Sequence, residues 1–300
     1  MKKSFVAYMV LVLMLVFPPL ARGEMGKTKV PVFVSIVPQA YFLERIGGKH
    51  VDVNVLIGKG QSPHSYEPTP KQMAKLAAAK AYFCIGVTSE KGILRKIRQS
   101  HRNLLIVETQ RGIVYRYLDG HDHDHGEMHG KRHSAVGEKE PDPHIWMDPK
   151  LVKIQARNIQ AALERLDPAH KGEYSENLRV FQQDLDRVNG RIARSLAPFR
   201  GSSMYVFHPA FGYFADAYGL KQVAIEIEGK EPSARQLAEL IDRAKKERVK
   251  VMFVQPQFSR KGAEAVAKAI GGVVVPIDPL ARDYLANLDR VAAAVEQGLR

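Results

Sequence analysis

Cysteine is almost absent: Cys84 is the only one in 300 residues. A single thiol cannot close an internal disulfide, nor supply a paired C-x-x-C zinc site. It lies in an apolar run, Ala81-Tyr-Phe-Cys-Ile85, and reads as a small core residue rather than a nucleophile. Long apolar segments are missing too. The run Phe5 to Phe17 is stopped by Pro18 and Pro19, short of the ~20 residues that span a bilayer. There is no G-x-x-x-x-G-K-[ST] phosphate loop, so ATP hydrolysis does not belong to this chain, and there is no H-E-x-x-H metalloprotease pair. Acidic residues are in the minority, 32 Asp and Glu against 45 Lys and Arg, for a formal charge of +13.

Lys2 and Lys3, the apolar run and the small-x-small triplet Ala21-Arg22-Gly23 form a secretory signal pattern, with cleavage expected between Gly23 and Glu24. No cysteine near that point could carry a lipid. Removing residues 1–23 takes away Lys2, Lys3 and Arg22 and no acid, which lowers +13 by three, to +10. A basic excess raises nucleic acid or an anionic membrane face as partners. Yet the basic residues alternate with acids, as in Lys245-Lys-Glu-Arg248, and form no stripe with aromatics. The charge reads as solvated surface, and nucleic acid is not an expected partner. A basic chain does not gather cations globally, so any metal site must create its own negative surroundings.

Strand and helix patterns alternate from Val30: strands at Val30–Ile36, Val51–Ile57, Ala81–Ile85 and Leu104–Val107, with helices at Gln39–Ile46, Thr69–Ala79 and Gly92–Gln99. The pattern restarts at Met204 and runs to Leu299. Such alternation predicts parallel sheets with helices on their faces. Between the two βα halves, Pro149–Leu166 and about Pro168–Leu196 read as helices, with Asp167 placed to cap the second. In that second helix Tyr174, Leu178, Phe181, Leu185, Val188, Ile192 and Leu196 recur every three or four residues. It is long enough to bridge two lobes as a stiff strut; the alternative is an ordinary packed helix in one domain. The division expected is a signal at 1–23, an N-terminal α/β lobe at 24–167, a linking helix at 168–198 and a C-terminal α/β lobe at 199–300.

What the chain does have is histidine in an uneven distribution. Five of eleven crowd into Asp119-Gly-His-Asp-His-Asp-His-Gly-Glu-Met-His-Gly-Lys-Arg-His133, namely His121, His123, His125, His129 and His133. Three more stand beside prolines, as Ser62-Pro63-His64, Asp142-Pro143-His144 and Phe207-His208-Pro209. Imidazole is a common metal ligand, and a His/Asp tract is a compositional sign of metal binding. Ligands in open α/β sheets sit beyond the carboxyl ends of strands. His64, His208 and Asp278 follow predicted strands, and His144 precedes a helix, so two candidates come from each half and would meet in a cleft. Three imidazoles and a carboxylate suit tetrahedral Zn²⁺. A histidine alone is more often a surface or capping residue than a ligand, and Asp278 before Pro279 also fits the start of a turn.

The segments Gly60-Gln-Ser-Pro-His-Ser-Tyr-Glu-Pro-Thr-Pro70, Asp142-Pro-His-Ile-Trp-Met-Asp148, Phe207-His-Pro-Ala-Phe-Gly-Tyr213 and Ile277-Asp-Pro-Leu-Ala281 resemble, in order, the signature segments of the zinc/manganese solute-binding proteins of ABC transporters, nearest the periplasmic zinc-uptake (ZnuA-like) branch. The resemblance runs from about Val30 to the C-terminus. It implies two doubly wound parallel-sheet α/β lobes joined by one long rigid helix, with metal held in the interlobe cleft by His64, His144, His208 and Asp278. Glu67 or water is the alternative fourth ligand. Histidine rather than glutamate at the third position, His208, implies Zn²⁺ over Mn²⁺ or Fe²⁺. The resemblance further implies a periplasmic, non-enzymatic monomer that delivers its ion to an ABC permease and its ATPase without entering the membrane itself.

The tract at 119–133 lacks an apolar face and reads as disordered, either as an accessory that gathers or senses Zn²⁺ weakly or as a solvated linker. Ile227-Glu-Gly-Lys-Glu-Pro-Ser233 resembles a family loop that could touch the permease, with Glu226, Glu228 and Glu231 otherwise solvated. Trp146 is expected to pack around the site. A zinc hydrolase is the reading from a different class, because catalytic zinc keeps three protein ligands and an open position. With ordinary imidazoles near pH 6.5, metal affinity is expected to fall between about pH 7 and 6.

Overall fold

The computed structural model describes residues 29–100, 103–118, 141–226, 233–258 and 260–300. The expected signal, the histidine-rich tract with His121, His123, His125, His129 and His133, and the loop residues Glu228 and Glu231 lie outside the described residues.

The first half builds a parallel sheet of β1 (Val30–Ile36), β2 (Val51–Ile57), β3 (Ala81–Cys84) and β4 (Leu105–Glu108) in the order β2-β1-β3-β4. β1 runs in register with β2 from Val30 opposite Val51 to Ile36 opposite Ile57. Val32 to Ile36 of β1 and all of β3 are buried, as a strand covered on both faces must be. Helices α1 (Val37–Gly47), α2 (Pro70–Ala77) and α3 (Glu90–Ser100) make the crossovers. The Thr69 hydroxyl accepts from the Gln72 amide at 3.3 Å, which with Pro70 in the first turn fixes the start of α2. Cys84 is buried in β3, as its neighbours predicted.

The second half repeats the design. β5 (Ser203–Val206), β6 (Lys221–Ala224), β7 (Val251–Val254) and β8 (Val273–Pro276) form a parallel sheet in the order β6-β5-β7-β8. In each sheet the first strand sits inside, with its successors on either side. The strand order therefore reverses at the carboxyl ends of β1 and β5, where α/β sheets open a crevice.

Two helices lie between the halves, α4 (Pro149–Leu166) and α5 (Lys171–Leu196). The 26 residues of α5 extend about 40 Å at 1.5 Å per residue. Its buried residues are Tyr174, Phe181, Leu185, Val188, Ile192 and Leu196, the stripe read from the sequence apart from half-buried Leu178. α5 packs along α1 and α4 and against α9 (Tyr284–Leu299) of the second half. Phe42 of α1 lies 5.9 Å from Phe181 of α5 and 4.8 Å, edge to face, from Tyr284 of α9. The larger hydrophobic cluster runs through both halves by way of these helices, and a smaller one lies under the second sheet against α7 (Ala234–Lys246) and α8 (Arg260–Ile270). The strut is thus also a packed helix.

Asp167 departs from expectation. It heads a 3-10 turn, Pro168–His170, but its side chain caps no backbone amide. Its Oδ2 instead accepts from the Tyr174 hydroxyl at 2.6 Å and meets Nδ1 of His170 at 2.5 Å. No described helix is long and apolar enough to cross a membrane.

Candidate metal centre

His64 sits in the loop between β2 and α2, where the Ser62 hydroxyl accepts from its amide and Pro63 O accepts from Ser89 N at 3.3 Å. His144 opens a short 3-10 turn, Ile145–Met147, just before α4. His208 follows β5 by two residues, and Gln255 brackets it: Gln255 Oε1 accepts from His208 N at 3.1 Å, and Gln255 Nε2 donates to His208 O at 2.7 Å.

These three elements bring the rings together. Ring centres lie 5.4 Å apart for His64 and His144, 4.7 Å for His64 and His208, and 5.2 Å for His144 and His208. The Nε2 atoms of His144 and His208 are 3.3 Å apart, and one ring nitrogen from each histidine lies within 4.8 Å of the others. A tetrahedral zinc with bonds of about 2.0–2.1 Å sets its nitrogens about 3.3 Å apart. The partly open space between them is about 10 Å³, lined by these rings with Trp146, Phe258 and Leu280 among others. That is about the volume of one water-sized sphere.

Behind two of the rings stand carboxylates. His144 Nδ1 donates to Asp142 Oδ1 at 2.7 Å, and His208 Nδ1 donates to Glu226 Oε2 at 2.9 Å. Each bond fixes the tautomer, so that Nε2 faces the cavity as an acceptor, and makes the ring a better donor to a cation. Asp142 is fully buried and is itself held by Arg116, whose Nη1 lies 2.8 Å from Oδ2. Burial pulls the Asp142 carboxyl upward, but His144 and Arg116 together hold it below the usual value. Arg116 also reaches Asp216 Oδ2 at 2.9 Å, while the Tyr213 hydroxyl accepts from Arg116 N and donates to Asp142 O, each at 3.0 Å. Tyr213 and Asp216 belong to α6 (Gly212–Tyr218), so this network ties the His144 loop to the second half.

Burial strips water from the imidazoles and disfavours their charged forms. His64 is pushed down to about 3 by desolvation, aided by repulsion from His144 and His208. His208 is also lowered by burial, although Glu226 pulls the other way. His64 and His208 are therefore biased toward the neutral form that binds a metal. The expectation of ordinary titration between pH 7 and 6 does not hold for these two rings.

Asp278 lies outside the three-histidine group. It follows β8, is partly buried, and its Oδ1 accepts from Gln257 Nε2 and Leu280 N, both at 2.9 Å. Glu67 is exposed and also stands apart from that group. Trp146 does pack at the site: its ring lies 5.2 Å from that of His144, and its Nε1 donates to Pro279 O at 2.8 Å across the cleft. Glu226 corrects the reading of that residue as solvated surface, for it is 6 % exposed and bonded to His208.

The profile of the family described as "Zinc-uptake complex component A periplasmic" matches residues 32–298. The chain belongs to that family. It is 32% identical over 251 residues to the high-affinity zinc uptake system protein ZnuA of Bacillus subtilis, covering 81% of this chain and 76% of that one. It is 28% identical over 269 residues to the zinc-binding protein AdcA of Streptococcus pyogenes, covering 87% of this chain but 52% of AdcA. The chain therefore spans about half the length of the AdcA proteins it matches. A crystal structure of ZnuA superposes with a TM-score of 0.83 at 39% identity, covering 91% of this chain and all of that one. The two-lobed parallel-sheet fold is that of the solute-binding proteins.

Sequence reasoning missed Asp142, Glu226 and Arg116 as partners of the site. Asp142 stood in plain view, two residues before His144. Glu226 and Arg116 carried no local signal, since only the packing of β6 beside β5 and of Arg116 against α6 brings them in.

Proposed function

We propose that the chain captures Zn²⁺ between its lobes and delivers it to a membrane permease driven by a separate ATPase. The observation that carries this reading is the convergence of His64, His144 and His208 on a space of about 10 Å³, with Asp142 and Glu226 behind two of the rings. A nitrogen-rich set favours zinc over manganese, which prefers oxygen. The names of the zinc-uptake and zinc-binding relatives support the same choice. The chain acts as a periplasmic monomer, released from its signal segment between Gly23 and Glu24.

In this reading the three imidazoles are the protein ligands common to every bound state. Asp278 becomes the fourth by turning inward as zinc enters, at the cost of its bonds to Gln257 and Leu280. The tract with His121, His123, His125, His129 and His133 gathers further zinc weakly.

The test is a competitive chelator titration of the purified chain. One tight zinc site is expected, lost in His208→Ala and weakened in Asp278→Asn. An unchanged affinity in Asp278→Asn assigns the fourth position to water. Deleting 119–133 should lower the total zinc bound and spare the tight site. Retention of tight binding in His208→Ala refutes the proposed centre.

A further inference from the structure

Glu90 opens α3 and is buried, 2 % exposed, at the carboxyl ends of β1 and β3. Its carboxylate turns back along the chain. Oε1 accepts from Ile85 N at 2.9 Å, and Oε2 accepts from Gly86 N at 2.7 Å. The Ser35 hydroxyl of β1 also donates to Oε1, and it lies 2.7 Å from the Tyr82 hydroxyl of β3. The segment from Ile85 to Ser89 is thereby wrapped around one side chain. Gly86 takes φ 94° in that segment, in the left-handed region that favours glycine. A methyl group there would come 3.0 Å from the Tyr115 hydroxyl, so the segment is confined from that side as well.

The far end of this segment meets the metal centre. Ser89 N donates to Pro63 O at 3.3 Å. Pro63 precedes His64 and itself lines the space between the three imidazoles. Carboxylates hold the rings of His144 and His208, but among the described residues none is bonded to the ring of His64. The position of His64 therefore depends on its loop, and Ser89 is one of the fastenings of that loop.

Taking His64 as a zinc ligand, as in the function proposed above, we propose that Glu90 is a positioning residue for metal exchange: by seating the 85–89 segment it holds the His64 loop, and so sets how readily that loop opens to release an ion.

A purely architectural role fits this side chain poorly. Burial pushes the Glu90 carboxyl up to about 7, so at pH 8 it is ionised at a cost to the folded state. Glutamine would fill the same space without a charge. It would, however, leave one oxygen for two amides and turn an NH2 group toward the other. The carboxylate offers one oxygen to Ile85 N and one to Gly86 N, and its charge strengthens both bonds. Groups held at such a cost cluster at functional sites. Tyr82, Cys84 and Tyr115 face Glu90 and are all raised by burial. They stay uncharged at pH 8, so Glu90 is the charged member of this group there.

Stopped-flow release of zinc from the loaded full chain to a chromogenic chelator at pH 8, paired with urea unfolding of the metal-free chain, tests this. Glu90→Gln should release zinc about threefold to tenfold faster, the factor that one hydrogen bond contributes to an equilibrium. Its unfolding midpoint should stay equal to or above that of the parent. Ser89→Pro removes the amide that holds Pro63 and leaves Glu90 in place, and should speed release by a similar factor. Faster release with an unchanged or raised midpoint cannot come from general loosening of the fold. Release at the parent rate in Glu90→Gln overturns the proposal. So does faster release that comes with a lower midpoint, and so does a Ser89→Pro chain that releases at the parent rate. A parent chain without a tight zinc site overturns the His64–His144–His208 centre instead, so the two failures give different results.

Discussion

Replacing Glu226 with glutamine removes a negative charge from behind His208 while keeping the length of the side chain. The carboxylate lies 2.9 Å from His208 Nδ1. Adding the width of the ring and a Zn–N bond places it about 7 Å from a metal on Nε2. At an effective dielectric constant of about 20, attraction between a carboxylate and a dication at that distance is about 5 kcal/mol. Part of this is cancelled, because the carboxylate was desolvated in folding and the glutamine carbonyl still accepts from Nδ1. Loss of such a partner typically costs about tenfold to a hundredfold in metal affinity, or about 1.4–2.7 kcal/mol. The side chains of Glu226 and His208 are only 6 % and 7 % exposed, so salt should screen little of it.

Competitive chelator titration at several pH values should show the tight zinc affinity of Glu226→Gln reduced by that factor at pH 7 and above. Glu226 raises the tendency of His208 to take a proton, while burial lowers it more. Removing Glu226 therefore leaves His208 still harder to protonate, and the acid limb of the variant should begin at no higher pH than that of the parent. Proton competition cannot then be the source of the loss. An unchanged affinity at pH 7, or a loss seen only below about pH 6, refutes the role given to Glu226.

Three further outcomes follow from the geometry. A methyl group at Gly212 would clash with Arg116 Nη1 and lie 2.9 Å from Asp142 Oδ2, so Gly212→Ala should shift the guanidinium away from Asp142; zinc affinity should fall about tenfold, and an unchanged titration refutes the coupling. With His64 held down to about 3 and His208 lowered, zinc binding at pH 6 should displace fewer than about two protons, where three ordinary imidazoles would release more than about two; calorimetry in buffers of different ionisation enthalpy reads the number, and a count above two refutes preformed neutral rings. Glu90, enclosed by Ser35 and the amides of Ile85 and Gly86, is raised by burial to about 7 against an ordinary 4.5, so the stability it contributes is full below about pH 4.5 and is lost as pH rises to about 7; the interval corresponds to about 3 kcal/mol. Urea unfolding should therefore show the parent losing about that much relative to Glu90→Gln between pH 4.5 and 7.5, and parallel profiles refute it.

Much of the frame is legible in the residues. The alternation of strand and helix, the stripe along α5 and the position of His208 just past β5 follow from periodicities that the backbone imposes locally. His64, His144 and His208 could be selected because prolines and strand ends marked them, and the ordered motifs tied them together. The rest depends on contacts between distant segments. Glu226 looks like surface in a charged stretch, and becomes buried only because β6 pairs with β5 and turns its exit toward His208. His50 and His170 lie 120 positions apart with no shared motif, and their rings stack only because α5 returns along α1. Asp167 had a sound capping context, but Tyr174 and His170 outcompeted the backbone amides for its oxygen.

The packing also limits how the proposed metal centre can open. α5 is held by α1, α4 and α9, and Phe42, Phe181 and Tyr284 interlock elements of both halves. Trp146 Nε1 bonds to Pro279 O, and the Tyr284 hydroxyl donates to Trp146 O at 2.6 Å. Rotating one lobe against the other would break these buried bonds together with the Arg116 network, and packed interiors do not deform by degrees. Among the three histidines, His144 and His208 are anchored on carboxylates, whereas His64 has no carboxylate bonded to its ring among the described residues and rides on the loop that follows Gly60, itself at φ 79°. In the proposed centre, the least costly way to admit or release an ion is therefore to move the His64 loop over a fixed His144–His208 pair. On this account affinity is set largely by the rigid pair and its carboxylates, and exchange rate by the loop.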